Sequence, residues 1–305
     1  MDNVSISVVV ACYNPQFNKL QNTIRSIVKQ KDVSFEIVIG DDGSKIDYQK
    51  ELESWIEEQK YSNIKLNFLP QNVGTVKNIL SALYLCEGKY VKTISPGDYL
   101  YDEYTLKNYV DAFENLKADL VFGRAQYFSP DGKLLDGSAP QNNAVYKNRF
   151  VKKSVLDCND YILGAAIASK TDVEIYYLEQ IKDKIKYLED IPLTLFSLID
   201  GKKICAVDKK VVWYEYGEGI STDQSRSPLL EADYKAVEAE LLKKNKKIAK
   251  RYIKFTNAGN EKNSVKRFVK KVTASPFYLI YKLTSTFSKK AQEKDDAIKM
   301  HEIIK

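Results

Sequence analysis

Four polar clusters in the first hundred residues each follow a short apolar run: Ala11-Cys12-Tyr13-Asn14-Pro15, Asp41-Asp42-Gly43-Ser44, Asn72-Val73-Gly74 leading to Lys77-Asn78, and Ser95-Pro96-Gly97-Asp98. Together they supply an aromatic face, carboxylates that can accept from a base N–H or a ribose hydroxyl, a cation, and a carboxylate suited to a hard metal ion. That inventory fits a nucleoside diphosphate. A dinucleotide fingerprint and a P-loop are both absent, since neither G-x-G-x-x-G nor G-K-[ST] occurs. Farther along, Glu189-Asp190 precedes the apolar run Ile191–Ile199. A carboxylate opening a helix there is expected to stay ionised in the field of the helix dipole. The same acids would also serve as plain helix caps, so residue type alone leaves both roles open.

What is missing narrows the chemistry. The sole histidine is His301, the fifth residue from the end, so a histidine triad or a two-histidine metal site cannot be assembled. Acid–base work falls to carboxylates, Tyr or Lys. Cys12, Cys86, Cys158 and Cys205 stand singly, with no C-x-x-C, which argues against structural zinc and for a reduced, cytosolic setting.

The elements that must carry these clusters follow from periodicity. Apolar strands are expected over Ser7–Cys12, Phe35–Ile39, Ile64–Leu69 and Tyr90–Ile94. Between them lie helical patterns: Leu20, Ile24, Ile27 and Val28; Leu52, Trp55 and Ile56; Val76, Ile79, Leu80 and Leu83. Such alternation predicts an α/β fold, a mostly parallel central sheet flanked by helices, with the ligand at the carboxyl ends of the strands. The next stretch is less regular: a helix over Glu103–Leu116, a strand over Asp119–Arg124, a turn at Pro130-Asp131-Gly132 and a loop over Asp136–Asn148. Gly164-Ala165-Ala166 suits a tightly packed strand slightly better than an acceptor-side lining. Short strands are expected at Ile204–Val207 and Val211–Tyr214, and a helix from Pro228 towards Lys244.

The order of these pieces resembles the family 2 glycosyltransferases of GT-A fold, of bacterial surface-glycan type. The likeness is carried by Ser7–Pro15, Glu36–Ser44, Asn72–Gly74, Gly88–Val91, Ser95–Asp98, Tyr187–Asp190, Trp213-Tyr214 and Gly217–Thr222, and covers about residues 5–222. It implies that Asp42 meets the pyrimidine edge with Asp41 beside it, that Ala11 and Tyr13 line the base pocket, and that Asn72, Gly74, Lys77 and Ser95 complete the nucleotide-sugar site. It implies a metal ion, Mn²⁺ or Mg²⁺, on Asp98. Here the sequence departs from the family's Asp-x-Asp followed by a further Asp, because Ser95-Pro96-Gly97-Asp98 keeps the last carboxylate only. Asp190 is the implied catalytic base and Glu189 an orienting or acceptor-binding group. Gly217–Thr222 would form a flap over the donor.

The expected reaction is an inverting transfer from a UDP-sugar to a hydroxyl of a growing glycan, lipid-linked or protein-linked. Two rivals are a degenerate binding or assembly subunit, motivated by Ser95–Gly97, and a sugar-nucleotidyltransferase. The second would place a glycine-rich basic loop where Tyr13-Asn14-Pro15 stands.

Charge divides the chain. Net charge is +6, yet from Leu242 to Lys305 there are 18 Lys and Arg against 5 Asp and Glu, a balance of +13, leaving −7 for residues 1–241. Two units are expected: a catalytic domain over 1–222 and a helical, basic C-terminal extension over 223–305. Val265, Phe268, Val269 and Val272 share a helical face amid Lys266, Arg267, Lys270 and Lys271, a pattern suited to peripheral contact with an anionic membrane or to a homo-oligomer. Nucleic acid is disfavoured, because the acidic body continues no basic track. No basic leader precedes the apolar Val4–Cys12, and no apolar run approaches the length of a membrane span. Location in the cytoplasm, with contact at the inner membrane face, is the resulting expectation.

Overall fold

The computed structural model describes residues 4–137, 139–217, 227–286 and 297–305. Strands β1 (Ile6–Cys12), β2 (Phe35–Asp41), β3 (Ile64–Phe68) and β4 (Tyr90–Ile94) alternate with helices α1 (Phe17–Val28), α2 (Gln49–Glu58) and α3 (Thr75–Leu83). β1 pairs in parallel with both β2 and β4, and β2 with β3. The strands are apolar on both faces, as a sheet covered on two sides requires. Val9, Val38 and Val91 enter one buried cluster, while Val8, Val10, Ile37 and Ile39 enter the other. α1 turns Leu20, Ile24 and Ile27 onto the second cluster.

The chain then adds β5 (Tyr99–Leu100), α4 (Thr105–Leu116), β6 (Leu120–Phe128), β7 (Leu134–Leu135), α5 (Val151–Cys158), β8 (Ile167–Lys170), α6 (Thr171–Ile181), α7 (Asp190–Ile199) and β9 (Ile204–Glu215). Spatial order in the sheet is β3-β2-β1-β4-β8-β6-β9-β5, with β7 on β6. β2 and β3 lie to one side of β1 and β4 lies on the other. This reversal opens a crevice at the carboxyl ends of β1 and β4, where Tyr13 and Ser95 follow.

Two expectations change here. The strands expected at Ile204–Val207 and Val211–Tyr214 are one strand, β9, which runs parallel to β6 through a register shift near Gly123. A Cβ at Gly123 would stand 2.4 Å from Val211 Cγ1, so the bulge needs glycine. Gly164–Ala166 forms a 3₁₀ turn rather than a strand.

Among the described residues there follow the helices α8 (Ser227–Lys244), α9 (Lys246–Gly259), α10 (Ser264–Ala274), α11 (Tyr278–Thr286) and α12 (Ala297–Ile304). Leu230, Val237 and Leu241 of α8, with Ala249 and Tyr252 of α9, lie in the same buried cluster as the sheet residues. Met300 and Ile303 of α12 pack with Tyr99, Phe128 and Trp213. The first part of the basic region is thus built into the core beside the sheet. α10 is different: Ala274 is its one buried residue, and Val265, Phe268 and Val269 stand exposed. Among the described residues no helix is long and apolar enough to cross a membrane.

Candidate active site

A cavity of about 850 Å³ opens at the crevice. Of the residues expected at a nucleotide-sugar site, Ala11, Tyr13, Asp42, Ser95, Asp98, Glu189 and Asp190 line it; Asp41, Asn72, Gly74 and Lys77 do not. Residues from β1, β4, α7 and the helices α8 and α9 thus converge on one space.

On the β1–β2 side, the polar residues brace one another. Asp41 accepts from Ser44 N–H at 2.8 Å and from the Tyr48 hydroxyl at 2.8 Å, and Ser44 Oγ receives Asn14 N–H at 2.7 Å. Asp41 therefore holds the turn that positions Asn14, next to the half-exposed Tyr13, instead of facing the cavity. Asp42 accepts from Val73 N–H at 2.6 Å, Gly74 N–H at 2.9 Å and Asn72 Nδ2 at 2.9 Å. Burial raises its carboxyl pKa, and the N–H groups of Val73 and Gly74 oppose the rise. Asn72 and Gly74 act through Asp42, and Gly74 must be glycine: its φ is 94°, and a Cβ would lie 2.2 Å from Lys186 Cγ. Lys77 points away, paired with Asp183 at 2.9 Å on the protein surface.

At the end of β4, Asp98 is buried and its Oδ1 accepts the Glu215 N–H at 3.0 Å. Burial pushes its carboxyl up to about 7. The fully buried Lys92 lies beneath it, its ammonium lowered to about 8 by desolvation. The Mn²⁺ or Mg²⁺ expected on Asp98 does not fit this donor set. Ser95, Pro96 and Gly97 offer no carboxylate, and the neighbouring Glu215 is engaged by the Lys19 ammonium at 2.7 and 2.8 Å. Among the described residues no group of three His, Cys, Asp or Glu could hold a metal ion.

Across the cavity, Asp190 is the first residue of α7. Its Oδ1 accepts Ile191 N–H at 2.7 Å; its Oδ2 accepts Gly164 N–H at 3.1 Å and the Tyr161 hydroxyl. A Cβ on Gly164 would stand 2.7 Å from Oδ2, so this glycine lets the 3₁₀ turn close on the carboxylate. The helix start was expected to keep Asp190 strongly ionised. Burial outweighs it and raises the pKa, although Tyr161 and the two N–H groups pull the other way. Glu189 is raised well above the ordinary carboxylate value by burial and then by the neighbouring Asp190.

Sequence reasoning missed several contributors. Tyr161, Tyr234, Glu238 and Tyr252 line the Asp190 side, and Lys19 and Glu215 line the Asp98 side. Asp233 on α8 accepts the backbone N–H groups of Lys186, Tyr187 and Leu188 at 3.0, 2.6 and 3.1 Å, fixing the loop that delivers Glu189 and Asp190. Trp213-Tyr214 and the flap signal Gly217–Thr222 fell beside Glu215, and Gly164–Ala166 beside Tyr161, and residues 218–222 lie outside the described residues.

Comparison with known proteins agrees with this geometry. Residues 7–166 match the family described as glycosyl transferase family 2. A dolichyl-phosphate beta-glucosyltransferase of Dictyostelium discoideum is 38% identical over 98 residues, 30% of each chain. An uncharacterized glycosyltransferase of Methanocaldococcus jannaschii is 27% identical over 157 residues, 50% of this chain and 51% of that one. The matches thus span about half or less of those relatives' lengths. Among solved structures, S. aureus TarS 1-349 in complex with UDP-GlcNAc aligns with a TM-score of 0.59 at 18% identity, over 89% of this chain and 79% of that one. The same protein in complex with UDP aligns at 0.59 and 17% identity, over 90% and 82%.

Proposed function

The chain belongs to glycosyl transferase family 2 and is a glycosyltransferase of GT-A-like fold; from that premise we propose that it transfers a sugar from a UDP-sugar, with inversion, to a hydroxyl of a growing surface glycan. The carrying observation is that one cavity joins the strand-end residues Ala11, Tyr13 and Asp42 to Asp190. Support for uridine comes from the aligned TarS structures, which hold UDP and UDP-GlcNAc.

Asp190 accepts the proton of the acceptor hydroxyl as its oxygen bonds to the anomeric carbon. The bond from that carbon to the β-phosphate oxygen breaks, and its electron pair leaves with UDP. The products are the extended glycan, UDP and a protonated Asp190, which returns its proton to water. A raised pKa makes Asp190 a stronger base than an ordinary carboxylate. Tyr161 and Gly164 N–H orient it, and Glu189, which lines the same cavity, serves as an acceptor-binding group. Enzymes of this fold commonly use a divalent cation, but no step here is assigned to one.

The acceptor side is formed by Tyr161, Tyr234 and Tyr252, whose rings suit the apolar faces of sugars. We place the enzyme at the inner face of a membrane through α10 and α11, where a lipid-linked acceptor would be presented.

The test is calorimetric titration with UDP, followed by UDP release from a panel of UDP-sugars. Failure to bind UDP under any condition would overturn the reading. Binding without turnover that is unchanged in Asp190→Asn would favour the degenerate subunit.

A further inference from the structure

Lys19 is the one cationic side chain among the described residues that line the cavity. It lies in the first turn of α1, and its ammonium spans both carboxylate oxygens of Glu215, the last residue of β9. Side-chain exposure is 18% for Lys19 and 6% for Glu215, so the pair is shielded from bulk water but borders the cavity. The backbone of the same Glu215 holds Asp98.

The pair occupies a telling place. Gly97 has a φ of 103°, and a Cβ built on it would meet Glu215 Oε2 at 2.5 Å and Lys19 Cδ at 3.5 Å. Gly97 stands where the second acid of an Asp-x-Asp motif would stand in Ser95-Pro96-Gly97. Here the backbone conformation disfavours any side chain, and the space beside it is filled by the Glu215 carboxylate that holds the Lys19 ammonium. Glu215 already holds the Lys19 ammonium, and Asp98 feels both Lys92, which it shares with the buried Glu174, and Lys19. A divalent cation would have to displace Lys19 or sit against it, and like charges a few ångströms apart in a shielded site repel strongly.

We propose that Lys19, held by Glu215, supplies the positive charge that receives the donor's diphosphate, and that nucleotide binding by this chain needs no divalent metal ion. The inference rests on the UDP-donor reading and goes beyond it. When the sugar–phosphate bond breaks, the charge gathering on the departing UDP is met by this ammonium. Glu215 serves as a positioning residue, keeping Lys19 against the cavity wall.

Calorimetry with UDP and with uridine, each in EDTA and in Mn²⁺, tests the proposal. The wild type should bind UDP with the same affinity, to within about twofold, in both media. The double variant Lys19→Met with Glu215→Gln removes both charges and leaves no unpaired buried carboxylate. It should lose about tenfold or more in UDP affinity, about 1.4 kcal/mol, while uridine affinity stays put. Lys19→Arg should retain most UDP binding, which guards against a variant that merely unfolds. UDP binding strengthened tenfold or more by Mn²⁺ would overturn the proposal and leave the UDP-donor reading standing. A double variant that binds UDP like the wild type would overturn it too. If neither UDP nor uridine binds the wild type, the donor reading falls and takes this proposal with it.

Discussion

The carboxylate of Asp233, on α8, receives the backbone N–H of Tyr187 at 2.6 Å, three residues before Asp190. Lys186 and Leu188 donate to the same carboxylate, so a helix from the C-terminal region fixes the approach to α7. Replacing Asp233 by Ala leaves three backbone donors without their anionic acceptor in a largely buried place. The expected cost is about 3 kcal/mol of stability. Transfer should fall more steeply than UDP affinity, because the Asp42 turn and the β1 end do not depend on Asp233. Chemical denaturation and calorimetry on Asp233→Ala and Asp233→Asn check this; equal losses in UDP binding and turnover would contradict it.

The Tyr161–Asp190 contact makes a prediction with a definite sign. The Tyr161 hydroxyl lowers the Asp190 pKa against burial, which raises it. In Tyr161→Phe that opposition is lost, the Asp190 pKa rises, and the acid limb of the pH–rate profile moves to higher pH. Asp190→Asn should cut turnover about 10²–10⁴-fold at all pH values, the range for loss of a general base. Donor KM should change little in either variant. An acid limb that stays in place in Tyr161→Phe would show that Asp190 is not the titrating base.

Asp160 should govern part of the acid–base dependence of stability. It is 3% exposed, accepts from Gln141 N–H at 2.7 Å, and burial pushes its carboxyl up to about 6. Below a pH of about 4 both folded and unfolded chains hold this proton. As pH rises towards about 6 the unfolded chain ionises first, so stability falls, and above that the full penalty of about 2–3 kcal/mol remains. Asp160→Asn cannot ionise and should flatten this part of the curve. Urea melts of both proteins across that interval provide the check; parallel curves would remove Asp160 from the account.

Much of the fold was legible because local and global signals agree in the first hundred residues. Apolar runs bounded by Asn14-Pro15, Asp42-Gly43 and Pro96-Gly97 mark strands ending in turns, and each strand is found within two residues of its expected bounds. Asp190 was legible for a related reason: an acid before an unbroken apolar helix lies at a helix start wherever the helix packs. The rest depended on partners distant in sequence. Lys19 looks like any surface lysine of α1 until Glu215 meets it across 196 positions. Lys77 had the sequence context of a phosphate ligand, but α3 turns it towards Asp183. Asp41 and Asp42 are adjacent, yet the strand's alternation sends one to Ser44 and Tyr48 and the other to the turn at Asn72. β9 was broken in two because the charged Asp208-Lys209-Lys210 interrupts the apolar run, whereas Asp208 meets Arg124 at 2.7 Å and Lys210 donates to Gln126 at 3.0 Å, partners far away in sequence.

The basic region supports one last prediction, because its parts separate by burial. α8 and α9 contribute to the core and to the cavity, whereas α10 gives one buried residue, Ala274, to a small cluster with Phe255 and Tyr278 and none to the cavity. On α10, Val265, Phe268 and Val269 are exposed on one face, with Lys266 and Lys270 to one side and Arg267 and Lys271 to the other. On α11, Leu279, Ile280 and Leu283 are exposed as well. Large apolar side chains ringed by lysines match an anionic bilayer, where each basic residue near the surface adds about 1 kcal/mol and each buried apolar side chain about 1.5–3 kcal/mol. The protein should sediment with vesicles of phosphatidylcholine and phosphatidylglycerol, poorly with phosphatidylcholine alone, and less as salt rises. Phe268→Ser with Val269→Ser should weaken vesicle binding about tenfold or more and leave UDP binding unchanged, since no α10 residue lines the cavity. Equal sedimentation with both vesicle types, or a double variant that sediments as well as the wild type, would mean that this face serves some partner other than a lipid surface.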